Sequence, residues 1–457
     1  MSMIKNSLSS RFLTAESGKE GDRVTTLELF FDLIYVFAFT QVSLLMAHGS
    51  HGTADATGVL QGLVVLGLVW WSWTSYAWLG NQAHADRGIV RVGVMVAIAT
   101  MFVVTLAIPE AFADHEGGLF APIVFAVGYI FVRVVHSVVY IIAAGADAGL
   151  RRQVIVSLGI GLVPSAALLI IGAFVGAPYQ VWIWLVAIAL DLLIVYLSSS
   201  DGDWRLPSAA HFAERHGLII ILALGESIVA IGVGAAQLPL SVGIIVGSVL
   251  GVALALGLWW TYFHSLSTKV EREVAKVQGT RRATVATGAY TYLHIALVAG
   301  IVITAVGIEQ VMREVESPEP IGRFTAIALA GGVSLYLAGT AFVWRRVSGE
   351  WAIVRLAGAT VIGLSTLLLN RLPALGAIAV TVVLVVALIV VEQILGQRAK
   401  APSRAATVAQ SKPKTVVKPA PTIPQPAAPS ARRETSDSPA TPQRESSITG
   451  LLDRDDT

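Results

Sequence analysis

Twelve stretches of predominantly apolar residues, each about twenty long, run from Leu27 to Leu395 and confine this chain to a lipid bilayer. A helix rises about 1.5 Å per residue, so a hydrocarbon core about 30 Å thick is crossed by roughly 20 residues. The spans read as 27 to 46, 58 to 79, 89 to 108, 120 to 144, 153 to 175 and 179 to 198. A second set reads as 210 to 234, 241 to 264, 285 to 308, 323 to 344, 351 to 370 and 373 to 395. Hydrophobic residues make up 55% of the chain and charged residues 14%, with mean hydropathy +0.71, too apolar for a water-facing surface. The expected fold is therefore an all-α polytopic membrane protein. It comprises a short segment over 1 to 25, a membrane domain over 26 to 396 and a tail over 397 to 457.

The tail holds ten Lys or Arg against six Asp or Glu, so the net charge of +2 belongs to it rather than to the membrane domain. It is rich in Pro, Ala, Ser and Thr and has no apolar periodicity, which reads as disorder. Eight of its basic residues, Arg398 to Arg433, precede any acid, a run suited either to contact with anionic lipid or simply to solvation. No charged, apolar and small-residue succession marks a removable signal peptide, and the first helix is expected to direct insertion. Cysteine is absent, excluding disulfides, thiol catalysis and thiolate-held metal. No metal, cofactor or nucleic-acid partner is expected, and oligomeric state is not legible.

Lys and Arg in short loops stay on the cytoplasmic side. Alternate connections carry Arg87 and Arg91, Arg151 and Arg152, Arg205, the cluster from Lys269 to Arg282, and Arg345 with Arg346, while the intervening ones carry almost none. Both termini should then be cytoplasmic. On this orientation Trp70, Trp71, Trp73, Trp78, Trp259, Trp260, Trp344 and Trp351 fall toward the inner interface, and Trp182 with Trp184 toward the outer.

Trp70-Trp71 in the second span recurs as Trp259-Trp260 in the eighth after 189 residues, and Glu28 at the start of the first recurs as Glu214 in the seventh after 186. Nearly equal offsets predict a duplication, with six-helix copies over about 26 to 200 and 208 to 396. An even number of spans per copy gives parallel repeats, whose interface is the natural place for a pathway. Gly243, Gly247, Gly251 and Ala255 form a small-residue stripe, read as packing alone.

Charges inside the spans are expensive, about 2.5 to 3.5 kcal/mol each on insertion scales, so each needs a partner, water or a role. Glu28 and Asp32 share one face of the first helix with Tyr35, a pair able to attract a proton or cation. Thr25-x-x-Glu28 is equally a capping box, and Asp32 could equally pair with an arginine of another helix. Glu226 lies deep in the seventh span, eleven residues beyond Arg215 and out of its reach. A carboxyl there can exchange a proton as its surroundings change, or can merely tie helices together. Arg133 requires a carboxylate, with Asp32, Asp191 and Glu226 as candidates. Arg215, Glu214 and Arg133 are read as charge partners, and His136, His294 and Ser227 as a possible relay. The two histidines equally suit plain interhelical hydrogen bonds.

No P-loop, G-x-S-x-G, H-E-x-x-H or C-x-x-C occurs. The segments T-L-E-L-F-F-D-L-I-Y-V-F-A-F-T-Q, Thr26 to Gln41, and A-E-R-H-G-L-I-I-I-L-A-L-G-E-S-I-V-A-I, Ala213 to Ile231, resemble the bacterial low temperature requirement protein A family. The resemblance covers roughly residues 20 to 396 and carries Glu28, Phe31, Asp32, Glu214, Arg215, Gly225, Glu226 and Ser227 as motif positions. It implies a multi-pass protein of the bacterial plasma membrane in a family named for growth in the cold, with no biochemical activity attached. The leading expectation is a secondary carrier or ion-conducting protein, with Asp32, Glu226, Asp191 and Glu28 binding a proton or cation. The competitors are a structural or regulatory membrane protein supporting growth in the cold and an intramembrane lipid-modifying enzyme, for which the histidines and acids would have to converge.

Overall fold

The structure is a computed structural model that describes residues 23 to 48, 55 to 113, 117 to 200, 204 to 236 and 238 to 410. The basic tail beyond residue 410 and the segment before residue 23 lie outside the described residues. Among the described residues there is no β-strand, and the spans are as follows. In the first half they are α1 (Thr26–His48), α2 (Ala56–Gln82), α3 (Gly88–Leu106), α4 (Ala121–Ala143), α5 (Ala148–Val175) and α6 (Gln180–Ser200). Next come α7 (Ala209–Ala235) and α8 (Val242–Phe263), then a short amphipathic α9 (Ser267–Lys276). The last four are α10 (Gly279–Arg313), α11 (Arg323–Ser348), α12 (Ile353–Leu369) and α13 (Ala374–Gln410). Among the described residues eleven helices are long and apolar enough to cross a bilayer; α12, with 17 residues, is apolar but sits at the lower limit of a span. The chain divides into compact units Met1–Ala399 and Lys400–Thr457, and the first holds every span.

Helix starts follow local chemistry. Asp55, Ser208 and Ser241 cap α2, α7 and α8 by accepting from the N–H groups of Gly58, His211 and Ile244 at 2.7, 3.1 and 3.1 Å. The predicted capping box opens α1: the Thr25 N–H donates to Glu28 Oε2 at 2.8 Å, and the Glu28 N–H donates to Thr25 Oγ1 at 3.3 Å. The loop expected around Lys269 is helical instead. In α9 the apolar Val270 and Val274 are buried while the charged residues face out, the spacing of an amphipathic turn pair.

Helices differ sharply in burial, which separates a central group from a peripheral one. In the apolar stretch of each span, 78% of the residues are buried in α10 and 72% in α2, against 29% in α5 and 33% in α13. α7 packs along α10, α10 along α11, and α1 against α2, α3, α7 and α10. Glycine permits the closest of these approaches: a Cβ on Gly300 would stand 2.6 Å from the Tyr336 backbone N, and one on Gly307 would strike the Leu329 backbone. The stripe Gly243, Gly247 and Gly251 of α8 receives side chains, those of Glu316, Met312 and Ile231, rather than a neighbouring backbone. Large apolar residues such as Phe30, Leu106, Phe174, Leu256 and Leu367 are exposed on the outside, the surface a bilayer covers.

Three spans contain π-helical turns, at Leu158–Leu162 in α5, Thr287–Tyr292 in α10 and Ile327–Gly331 in α11. Such turns loosen the regular hydrogen-bond ladder and free carbonyls for other donors. The Thr291 carbonyl is used in this way, accepting from Trp70 Nε1 at 2.8 Å.

Candidate functional site

Two carboxylate, guanidinium and indole triads flank α2. In one, Arg215 Nη2 of α7 donates to Asp32 Oδ1 of α1 at 2.8 Å, Trp73 Nε1 donates to the same oxygen at 2.8 Å, and the guanidinium lies 5.6 Å above the Trp73 ring. In the other, Arg133 Nη2 of α4 stands 3.0 Å from Asp191 Oδ2 of α6, Trp71 Nε1 donates to that oxygen at 2.7 Å, and the guanidinium lies 5.5 Å from the Trp71 ring centre. Trp71 and Trp73 are two residues apart, about 200° around the helix, so one helix serves both sides. Each triad answers the same physical demand: in a low-dielectric interior a carboxylate is tolerated when a cation and a further donor converge on it.

The first triad extends to the membrane end of α1. Glu28 Oε1 is 3.8 Å from Arg215 Nη1, and Glu28 Oε2 is 3.3 Å from His211 Nε2. A Cβ on Gly80 of α2 would collide with Glu28 Oε1, so α2 must be bare there for the carboxylate to fit. Glu28 thus caps its helix and also joins the Arg215 network, and the two readings of it coexist. Arg215 ties α1 to α7, one helix from each half of the chain.

Glu226 has different surroundings. It is 1% exposed, and no described ion pair includes it. Its carboxylate accepts from Thr40 Oγ1 at 2.6 Å and from Ser43 Oγ at 2.5 Å, two hydroxyls one turn apart on α1. Each hydroxyl oxygen also lies within reach of a main-chain carbonyl of its own helix, Thr40 near Val36 O at 3.3 Å and Ser43 near Thr40 O at 3.0 Å. As expected from the eleven-residue spacing, Arg215 and Glu226 do not meet.

The remaining residues separate. His294 Nε2 meets Tyr262 Oη at 2.9 Å and its Nδ1 meets the Ala289 carbonyl at 2.9 Å, with His216 packed edge-on to its ring. His136 packs between Tyr76 and Tyr140. The two histidines do not touch, and a chain of ring contacts through Tyr140, Trp204, Trp78, Phe212 and His216 runs between them. Ser227 Oγ is buried with no hydrogen-bond partner. Glu214, read from the sequence as a charge partner, faces outward from α7 and accepts from the Val24 N–H at 3.4 Å. At the other membrane-embedded charges, Arg355 and Glu392 join α12 to α13 at 2.8 Å, and Glu309 holds Arg313 at 2.7 Å.

Sequence reasoning missed the tryptophan donors. Trp70, Trp71, Trp73 and Trp184, expected at interfaces, are at most 4% exposed and all four donate inside the bundle. The available signal was angular: Trp71 and Trp73 lie about 160° apart around the helix and cannot share one lipid-facing side. Trp182, Trp259, Trp260 and Trp351 are exposed, as a belt requires. The Trp70-Trp71 and Trp259-Trp260 pairs therefore stand in unlike surroundings.

The buried motif residues Glu28 and Asp32 of α1 meet Arg215 of α7, and both motif segments lie within residues 23 to 390, which match the family model of the bacterial low temperature requirement A protein. The chain belongs to the LtrA family. It is also 28% identical over 335 residues to an uncharacterized protein of Rhizobium meliloti, covering 71% of this chain and 77% of that one. No solved structure is matched. The chain is thus a multi-pass membrane protein of a bacterial family, in contact with lipid along its exposed apolar belt.

Proposed function

We propose that this LtrA protein is a secondary carrier or ion-conducting protein of the bacterial plasma membrane, with Glu226 as the group that takes up and releases a proton or cation. The observation that carries the reading is the double use of the Thr40 and Ser43 hydroxyls. When Glu226 is ionised, each hydroxyl donates its one hydrogen to the carboxylate. When Glu226 is protonated, it donates to one hydroxyl oxygen, and that hydroxyl turns its hydrogen to the main-chain carbonyl beside it. Both states satisfy the buried polar atoms without moving a helix, which is what reversible proton exchange in hydrocarbon needs.

In the same reading Asp32 and Asp191, proposed from the sequence as ion-binding groups, serve as counter-charges that fix Arg215 and Arg133. Glu226 joins α7 to α1 across the two halves, where two parallel six-helix repeats with cytoplasmic termini would meet. A structural or regulatory role is favoured by the ion pairs themselves, which tie α1 to α7, α4 to α6 and α12 to α13. Infrared difference spectroscopy across pH separates the two. A protonated-carboxyl band that titrates in the wild type and vanishes in Glu226→Gln supports proton exchange, and a spectrum unchanged by the substitution supports the structural role.

A further inference from the structure

A cavity of about 70 Å³ opens among α2, α4, α5, α6 and α10, beside the Arg133 and Asp191 triad. Its walls come from the C-terminal halves of α2, α4 and α6 and the N-terminal parts of α5 and α10, and so lie toward one end of the bundle. That end carries Arg151, Arg152 and Arg205, the last paired with Asp147 at 3.1 Å.

Four polar atoms of residues lining this cavity are buried without a hydrogen-bond partner: Arg133 Nε, His136 Nε2, Tyr140 Oη and Trp204 Nε1. Arg133 is 7% exposed and Tyr140 1%. Buried polar atoms are almost always satisfied, and four orphans among the residues that line one small space point to something that satisfies them together. The guanidinium and indole nitrogens can only donate, the phenol can donate and the imidazole nitrogen can do either, so three of the four call for an acceptor. An organic cation, which the aromatic walls of Trp71, Trp78 and Trp204 would otherwise suit, offers no acceptor and would meet the Arg133 guanidinium. Two acceptors at the walls are engaged: Ser75 Oγ accepts from Arg133 Nη1 at 3.1 Å and Thr291 Oγ1 from Trp78 Nε1 at 3.0 Å.

We infer that this cavity binds the carboxylate of a short organic acid, with Arg133 Nε, Tyr140 Oη and Trp204 Nε1 donating to its oxygens and the indoles enclosing its apolar end. Its place in transport, as the solute carried with the ion at Glu226, rests on the carrier reading; the binding does not.

The test uses the full chain purified in detergent, with propionate as the probe and thermal unfolding as the readout. Propionate should raise the unfolding midpoint saturably, with little effect from its neutral isostere propionamide or from tetramethylammonium. The double variant Tyr140→Phe/Trp204→Phe keeps the ion pair and an aromatic ring at each position and removes two donors, so propionate should bind it at least about tenfold more weakly. Equal propionate affinity in the double variant, stronger stabilisation by tetramethylammonium, or no saturation by propionate each overturns the assignment, the last leaving a cavity filled by water. Propionate binding without Glu226-dependent proton flux would sink the carrier reading and leave this site standing. Flux without propionate binding would do the reverse.

Discussion

Replacing Asp32 by Asn separates a charge that holds the bundle together from one that works within it. The substitution keeps the shape and an oxygen for Trp73 Nε1, but removes the carboxylate 2.8 Å from Arg215 Nη2 in a site 0% exposed. Stripping one partner from a buried ion pair costs about 3 to 5 kcal/mol because the other charge is left unpaired. Glu28, 3.8 Å from Arg215 Nη1, offsets part of that loss, so the expected figure is the lower end, about 3 kcal/mol. Glu226→Gln strands no cation and leaves an amide oxygen for the Thr40 or Ser43 hydroxyl, so it should cost about 1 kcal/mol. Equilibrium unfolding of both variants in mixed micelles, followed by tryptophan fluorescence, measures the difference. In a double-mutant cycle, Asp32→Asn with Arg215→Gln should lose clearly less than the sum of the single losses. The reasoning fails if Asp32→Asn is no more destabilising than Glu226→Gln, or if the two triad substitutions are additive.

Asp191→Asn should destabilise more than Asp32→Asn, since the described ion pairs give Arg133 no second carboxylate, and the same unfolding assay ranks the two. Gly80→Ala should cost about 1 to 3 kcal/mol, because its Cβ would occupy the space of Glu28 Oε1, and combining it with Glu28→Ala should recover part of the loss. Gly307→Ala should be among the most damaging of single-methyl additions, because the obstacle is the Leu329 backbone rather than a side chain that can turn; lower yield of folded protein reports it. The natural absence of cysteine makes the chain its own background for orientation mapping. Single cysteines at Arg152 and Arg346 should be labelled by an impermeant maleimide only from the cytoplasmic side, and one at Ser317 only from outside.

The spans were legible because hydrophobic length is a property of the sequence itself. Eleven helices lie within a few residues of the predicted limits, apart from the polar extensions on α5, α10 and α13. The capping box at Thr25 and Glu28 was legible for the same reason, being local. Pairing was not. Asp191 is 58 residues from Arg133 in sequence, and nothing in either helix ranks it above Asp32 or Glu226 as a partner. The indole donors were hidden by a statistical preference of tryptophan for membrane interfaces, which says nothing about a tryptophan whose helix is buried on most sides. Glu214 illustrates the converse, a charge near the right arginine in sequence but on the wrong face of α7. The hydroxyl pair of Thr40 and Ser43 carried no signal at all until α7 was laid against α1.

The central claim is that Glu226 moves a proton or cation while Asp32 and Asp191 hold the helices. Flux into proteoliposomes under an imposed pH gradient or membrane potential, with wild type and Glu226→Gln reconstituted at equal folded amounts, tests it most directly. Flux in the wild type that disappears in Glu226→Gln is the predicted result. Equal flux in both, or none in either under any gradient, contradicts the claim and leaves a membrane scaffold whose buried charges serve only to join its helices.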